Sequence, residues 1–462
     1  MLQYFRINDP YRVIGLLVIL LVLFSPFLID VADLTFPELK SIIIGDRVLN
    51  GSGLYTGVID STAPFTGWLY ALVSAITGES LAARHALAFV ILFLEAVLLG
   101  VIFIDKKAFP DSSFIPSLMF GILCVFSFDT VSISGHLVGT VFLLVTLNYL
   151  FREIEFREEN YEIIMRTGFF LGISSLFEFS FSVYLFPILI TLILYTRTSG
   201  RKIALFIIGY LLPHMLIVSI YFINGGAAEL WYYFYLPNLE FGNMSYVGIR
   251  DMLTLMGIPV FFVLAALIIV NRESRFTKYQ SQLLQAMFFW TVFSILQVYY
   301  SRDIRPHSFI PVMIGFSFYL SHLFLMIRRR RFAEIAFWIF FLGVIGLSLF
   351  ARYSSRYETM YGDLIVPKGP APYENKKLVV LSDSLALYQG SQMTTPFFNW
   401  RLSKEIFEEP DYYENVTKVH EGFKDHPDVI VDPQDLMKPF FERMPELRKN
   451  YTRSPEGYRR KL

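Results

Sequence analysis

The chain has 462 residues, 54% of them hydrophobic and 17% charged, and its 40 basic and 40 acidic side chains balance to a formal net charge of zero. So few charges cannot cover the apolar surface of a soluble protein of this length, and the neutral balance gives no support to nucleic-acid binding. The single cysteine, Cys124, excludes an intramolecular disulfide and a cysteine metal cluster, and reads as a packing residue in an apolar segment.

Apolar runs of helix-spanning character recur at roughly 13–29, 83–104, 113–127, 134–151, 166–178, 180–195, 203–223, 251–270, 282–300, 308–327 and 333–350. The first follows Arg6 and Arg12 in the manner of a signal peptide. No small-residue cleavage site follows it, so it is read as a retained first span. The pattern predicts about eleven membrane helices, of which 113–127 and 166–178 are the shortest. Basic residues concentrate in alternate loops. These hold Arg6 and Arg12, then Lys106 and Lys107, then Arg152, Arg157 and Arg166. Further along come Arg197, Arg201 and Lys202, then Arg272, Arg275 and Lys278, and finally Arg328 to Arg331. The positive-inside rule then places the N-terminus in the cytoplasm and, with an odd helix count, the C-terminus outside.

Three outer segments are long. The first, 30–82, contains an amphipathic stretch from Glu38 to Leu49, a turn at Gly51-Ser52-Gly53 and an apolar piece from Trp68 to Ile76, too short to span and expected at the interface. The second, 224–250, carries the aromatic run Trp231 to Tyr235, suited to the headgroup region. The third is the tail from about Arg352. Residues 378–382 and 428–432 read there as buried strands, and 403–408 and 411–423 as helices, which predicts a small α/β domain. The expected organisation is a transmembrane domain over 1–351 and a soluble extracytoplasmic domain over 352–462.

No phosphate loop, nucleophile elbow or zinc-protease helix occurs. Asp30, Asp33, Glu38, Asp46 and Asp60 lie in the first outer segment. A carboxylate there facing a cavity could act as a general base, and the plain alternative is a solvated loop acid. Arg84, His85, Arg302, Arg305 and His307 lie at outer helix ends. Their donors suit a lipid phosphate, with snorkelling to headgroups as the alternative. Glu95, Glu178, His136, His214 and His322 fall inside apolar runs, where a proton or ion relay competes with internal pairing.

Residues 36–85 run Phe36-Pro37-Glu38, an amphipathic helix, Gly51-Ser-Gly-Leu-Tyr55, then Asp60, Pro64, Trp68, Gly78 and Arg84. This order resembles the first periplasmic loop of GT-C glycosyltransferases, in particular the bacterial types related to protein mannosyltransferases and aminoarabinose transferases. The stretches Gly168 to Pro187 and Arg305-Pro306-His307 with Phe309, Ile310 and Pro311 resemble further parts of that fold. The resemblance covers most of the chain and implies an all-α polytopic GT-C-like membrane protein with a small C-terminal α/β domain. It also implies transfer of a sugar from a polyprenyl-phosphate donor at the outer face of the inner membrane. Glu38 and then Asp60 would be the catalytic carboxylates. Arg84, Arg302, Arg305 and His307 would hold the donor phosphate, and Asp129 with His136 would form a second polar site. A divalent metal is compatible with this scheme and required by nothing in the sequence.

There are departures from the family. Its loop usually opens with two acids, and the matching pair here is Pro37-Glu38; its basic residue in the middle hairpin falls at Glu178. A non-catalytic GT-C-like subunit of an envelope complex, with a protein partner, is therefore the second reading. A transporter or flippase of lipid-linked material, working through Glu95 and Glu178, is the third. Asn243, Asn415 and Asn450 begin Asn-x-Ser/Thr tripeptides, which decide nothing by themselves.

Overall fold

The computed structural model describes residues 1–156, 161–196, 198–242, 244–272, 276–369 and 371–461. Arg157, Arg197, Arg275 and the tripeptide residue Asn243 lie outside them. The chain is a mostly helical, multi-pass membrane protein. Among the described residues eight helices are long and apolar enough to cross a bilayer: Arg12–Ile29, Leu81–Asp105, Gly135–Glu155, Gly200–Ile223, Ile249–Arg272, Lys278–Tyr300, Pro306–Met326 and Arg330–Tyr353. Each falls on an expected apolar run. The other three runs form shorter pieces, Ile115–Cys124, Tyr161–Phe177 and Phe179–Tyr195. Helices are the natural answer to such sequences, because every backbone polar group must find a partner inside the chain. Large apolar side chains such as Val22, Leu94, Phe222, Ile268 and Ile339 point outward, as a lipid-facing surface requires.

The chain divides into two compact units. One comprises Met1–Asp33, Ser80–Leu216 and Phe241–Leu364; the other comprises Leu34–Glu79, Ile217–Glu240 and Ile365–Leu462. The second unit thus gathers most of the first outer segment, the aromatic segment and the tail, three stretches far apart in sequence.

In the first unit, one helix contact is set by glycine. A Cβ on Gly168 would lie 2.1 Å from the Phe206 carbonyl oxygen, and one on Gly209 would lie 2.3 Å from that of Met165. The two backbones therefore meet directly, as small residues permit between membrane helices.

In the second unit, Phe36–Leu49 and Pro64–Thr77 are helices. Thr35 opens the first with a capping box, its side chain accepting from the Glu38 N–H while Glu38 accepts from the Thr35 N–H. The expected amphipathic stretch is mostly buried along this helix. The aromatic run Trp231–Tyr235 forms a π-helical turn. Its Trp231 and Tyr232 are exposed, whereas Phe234 is buried and stacks on Tyr55.

The tail builds a five-stranded sheet in the order Gln392–Met393, Lys377–Val380, Val429–Val431, Gly457–Arg460, Tyr451–Ser454. The first two pairings are parallel and the last two antiparallel. Both expected strands and both expected helices are present, the latter as Trp400–Glu408 and Tyr413–Gly422. The central strand is apolar and fully buried, as a strand covered on both faces must be. Gly457 has φ +140° and its Cβ would meet the Ile430 carbonyl oxygen at 2.2 Å, so the terminal hairpin needs glycine there. The first outer segment is tied to this domain by backbone bonds from Ile59 N–H to the Pro396 carbonyl (2.8 Å) and from Asn399 N–H to the Ile59 carbonyl (3.1 Å).

Candidate functional site

Within the first unit, four sequence-selected residues come together: Asp129, His136, Arg305 and His307. Each sits where regular helix stops. Asp129 lies in the short 3-10 turn Phe128–Val131, His136 at the start of Gly135–Phe156, and Arg305 caps the turn Pro306–Phe309 that carries His307. Helix ends leave backbone groups unpaired, so polar side chains collect there. Arg305 Nη1 donates to Asp129 Oδ1 at 2.6 Å and to the Ser132 hydroxyl at 3.2 Å. The other carboxylate oxygen of Asp129 accepts from the His307 backbone N–H at 2.9 Å. This ion pair is shielded from water, with side-chain exposures of 5% for Arg305 and 0% for Asp129.

The histidine tautomers follow from their partners. His307 Nδ1 lies 3.1 Å from the Asp129 carbonyl oxygen, which only accepts, so Nδ1 carries a proton. In the neutral ring Nε2 then accepts from the Ser134 hydroxyl. His136 Nδ1 faces Glu178 Oε2 at 3.3 Å, again as donor. Its Nε2 faces the Ser301 hydroxyl at 3.2 Å and the Gln297 amide nitrogen at 3.5 Å, both able to donate. Gln297 also donates to Ser180 at 2.8 Å, and Ser180 to Glu178 Oε1 at 2.9 Å. The two imidazoles stand edge to face with centroids 6.1 Å apart. The result is two hydrogen-bonded groups, Arg305–Asp129–His307 and His136–Glu178, that meet at the ring contact between the two histidines. Glu178, with 20% of its side chain exposed, is the member nearest solvent. Each group can orient a polar ligand at its rim and fix the protonation of its own histidine.

Glu178 is thus internally paired, with His136 and Ser180. His214 is likewise partnered by Ser175 at 2.8 Å. The serines and Gln297 of these groups were not singled out from sequence. Their one sequence signal is the Ser132-Ile133-Ser134 run immediately before Gly135-His136.

The remaining selected residues lie elsewhere. Arg84 is buried in the first turn of Leu81–Asp105, and Arg302 is half-buried and donates to the Gly242 carbonyl at 2.8 Å. In the second unit, Glu38 is buried, and its Oε2 accepts from both the backbone and the hydroxyl of Thr35. Asp60 is buried and clamped by Lys40 at 2.9 Å, by Asn399 at 3.0 Å and by Thr62. Burial alone would raise the Asp60 carboxyl, but the Lys40 ammonium and the hydrogen bonds from Thr62, Lys40 and Asn399 outweigh it and hold the group below the ordinary carboxylate range. Among the described residues no three His, Cys, Asp or Glu side chains converge as a metal site would require.

The fold is shared with an archaeal oligosaccharyltransferase. The crystal structure of the Archaeoglobus fulgidus oligosaccharyltransferase in its apo form aligns with a TM-score of 0.51 at 12% identity, covering 98% of this chain and 75% of that one. The archaeal enzyme in complex with an inhibitory peptide and a dolichol-phosphate aligns with a TM-score of 0.49 at 10% identity, over 98% and 74%. No family model matches the chain, and no curated protein is detectably similar.

Proposed function

We propose that this protein is a GT-C-type glycosyltransferase that moves a sugar from a polyprenyl-phosphate donor at the outer face of the inner membrane, in the manner of the bacterial protein mannosyltransferase and aminoarabinose transferase types. The observation that carries this reading is the buried polar cluster of Asp129, Arg305, His307 and His136, set on a fold shared with an oligosaccharyltransferase. Fold alone does not define chemistry, but ionisable groups buried in a membrane bundle are costly and are kept where they act. Of the arginines proposed to hold the donor phosphate, Arg305 belongs to this cluster, whereas Arg84 and Arg302 lie outside it. His307 is fixed by Asp129, and His136 is fixed by Glu178. Glu38 serves as general base ahead of Asp60, whose carboxyl is held below the ordinary carboxylate range and is therefore a weak base. The basic loops place the N-terminus in the cytoplasm and the tail domain outside.

One observation favours a second reading. The carboxylates of Glu38 and Asp60 are both engaged structurally, one in a capping box and one in a clamp, as suits a non-catalytic subunit of an envelope complex. Glu38→Gln separates the two readings, because glutamine preserves a capping box while removing the charge. The measurement is a lipid and envelope-glycan profile of cells expressing wild type or the variant at equal levels. Accumulation of a polyprenyl-phosphate sugar with loss of one glycan supports the transferase. Unchanged profiles sink it and turn attention to a protein partner.

A further inference from the structure

The tail domain holds a cavity of about 230 Å³ at the edge of its sheet, unconnected with any residue of the proposed transfer chemistry. Its wall is aromatic. Phe441 packs against Tyr451 (5.7 Å between centroids) and Tyr458 (4.8 Å), and the two tyrosine hydroxyls are already committed, to the Pro427 carbonyl and to Asp435. Phe441 and Tyr451 are buried in the domain core, so the partly exposed Tyr458 is the ring that offers its surface to a ligand, with its hydroxyl occupied. The rim is charged: Lys438, Arg448 and Arg453 are cationic and Glu442 is anionic. Arg453 is held by Asp435 at 2.9 Å, whereas Lys438, Arg448 and Glu442 are exposed and, among the described residues, form no ion pair.

From these features we infer that the cavity binds an acidic saccharide unit, a sugar ring bearing a carboxylate. Ring C–H groups carry slight positive charge and match the electron-rich face of an aromatic wall. The Lys438 and Arg448 cations match the carboxylate. Glu442 decides against a bare anion: it repels phosphate or a lipid headgroup, yet accepts hydrogen bonds from sugar hydroxyls. A ligand that satisfies all three must carry hydroxyl donors and a negative charge on one compact ring. This inference is independent of the transferase reading and holds equally for a scaffold.

The test titrates the full-length protein in detergent with methyl β-glucuronide, methyl β-glucoside and inorganic phosphate at constant ionic strength. The glucuronide is expected to bind at least about tenfold more tightly than the glucoside. Lys438→Gln with Arg448→Gln should erase that difference with no fall in melting temperature, since both side chains are exposed. Glu442→Ala should weaken the glucuronide and strengthen phosphate, opposite signs that a general change in folding cannot produce. That variant alone decides the matter should the double variant not fold. Equal binding of the two sugars, no saturable binding, or phosphate competing as well as glucuronide overturns the inference. So does binding to vesicles of anionic lipid without binding to glucuronide.

Discussion

At the scale of single residues, the buried Asp129–Arg305 pair makes a sharp demand. Taking two charges out of water is expensive, and removing one partner leaves the other uncompensated, at a cost of about 3–5 kcal/mol. Asp129→Asn or Arg305→Ala is therefore expected to lower the thermal midpoint in detergent sharply. The double change Asp129→Asn with Arg305→Met should cost less than the sum of the single changes. Additive losses would mean that the pair is not coupled. Asp60 makes a different prediction, in pH. Its carboxyl is held below the ordinary carboxylate range in the folded state, so its contribution is complete above roughly 3.9 and is lost as pH falls through the folded-state value. The stability gap between wild type and Asp60→Asn should be widest at neutral pH and close in acid. A gap that widens on acidification would contradict the clamp.

At the scale of elements, the contact between Tyr161–Phe177 and Gly200–Ile223 has no room for side chains at Gly168 or Gly209. Gly168→Leu forces the backbones apart. Overpacking of this kind costs about 1–3 kcal/mol or more, read as reduced yield of folded protein by gel filtration in detergent. Thr35→Ala removes one half of a capping box and should cost about 0.5–2 kcal/mol. The helices that cross the bilayer were readable because each is one continuous apolar run, as Leu81–Asp105 shows. Strand Lys377–Val380 was readable for the same reason on a smaller scale. The hairpin Tyr451–Ser454 with Gly457–Arg460 was not, since Arg453, Arg459 and Arg460 give it a polar, charged face with no buried run to mark it. The site was half readable. Arginine and histidine at outer helix ends signalled polar work, but nothing local pairs Arg305 with an aspartate 176 positions earlier.

At the scale of the whole molecule, the alternation of basic loops predicts a topology that can be tested. With Cys124 replaced by serine, Lys449→Cys should react with an impermeant maleimide in intact cells, and Lys107→Cys only after permeabilisation. The reverse pattern would invert the orientation and remove the outer-face reaction. The composition of the second unit has a further consequence, for biosynthesis. Asp60 meets Lys40 within its own segment, but its partner Asn399 lies 339 residues further along the chain. At about 5–20 residues per second a ribosome needs roughly 20–70 s to cover that interval. For some tens of seconds the first outer segment stands as an unfinished half, its Ile59 backbone groups awaiting Pro396 and Asn399, which are not yet translated. Nascent chains stalled before the tail should therefore be open to protease in residues 50–63, and become resistant only when translation ends.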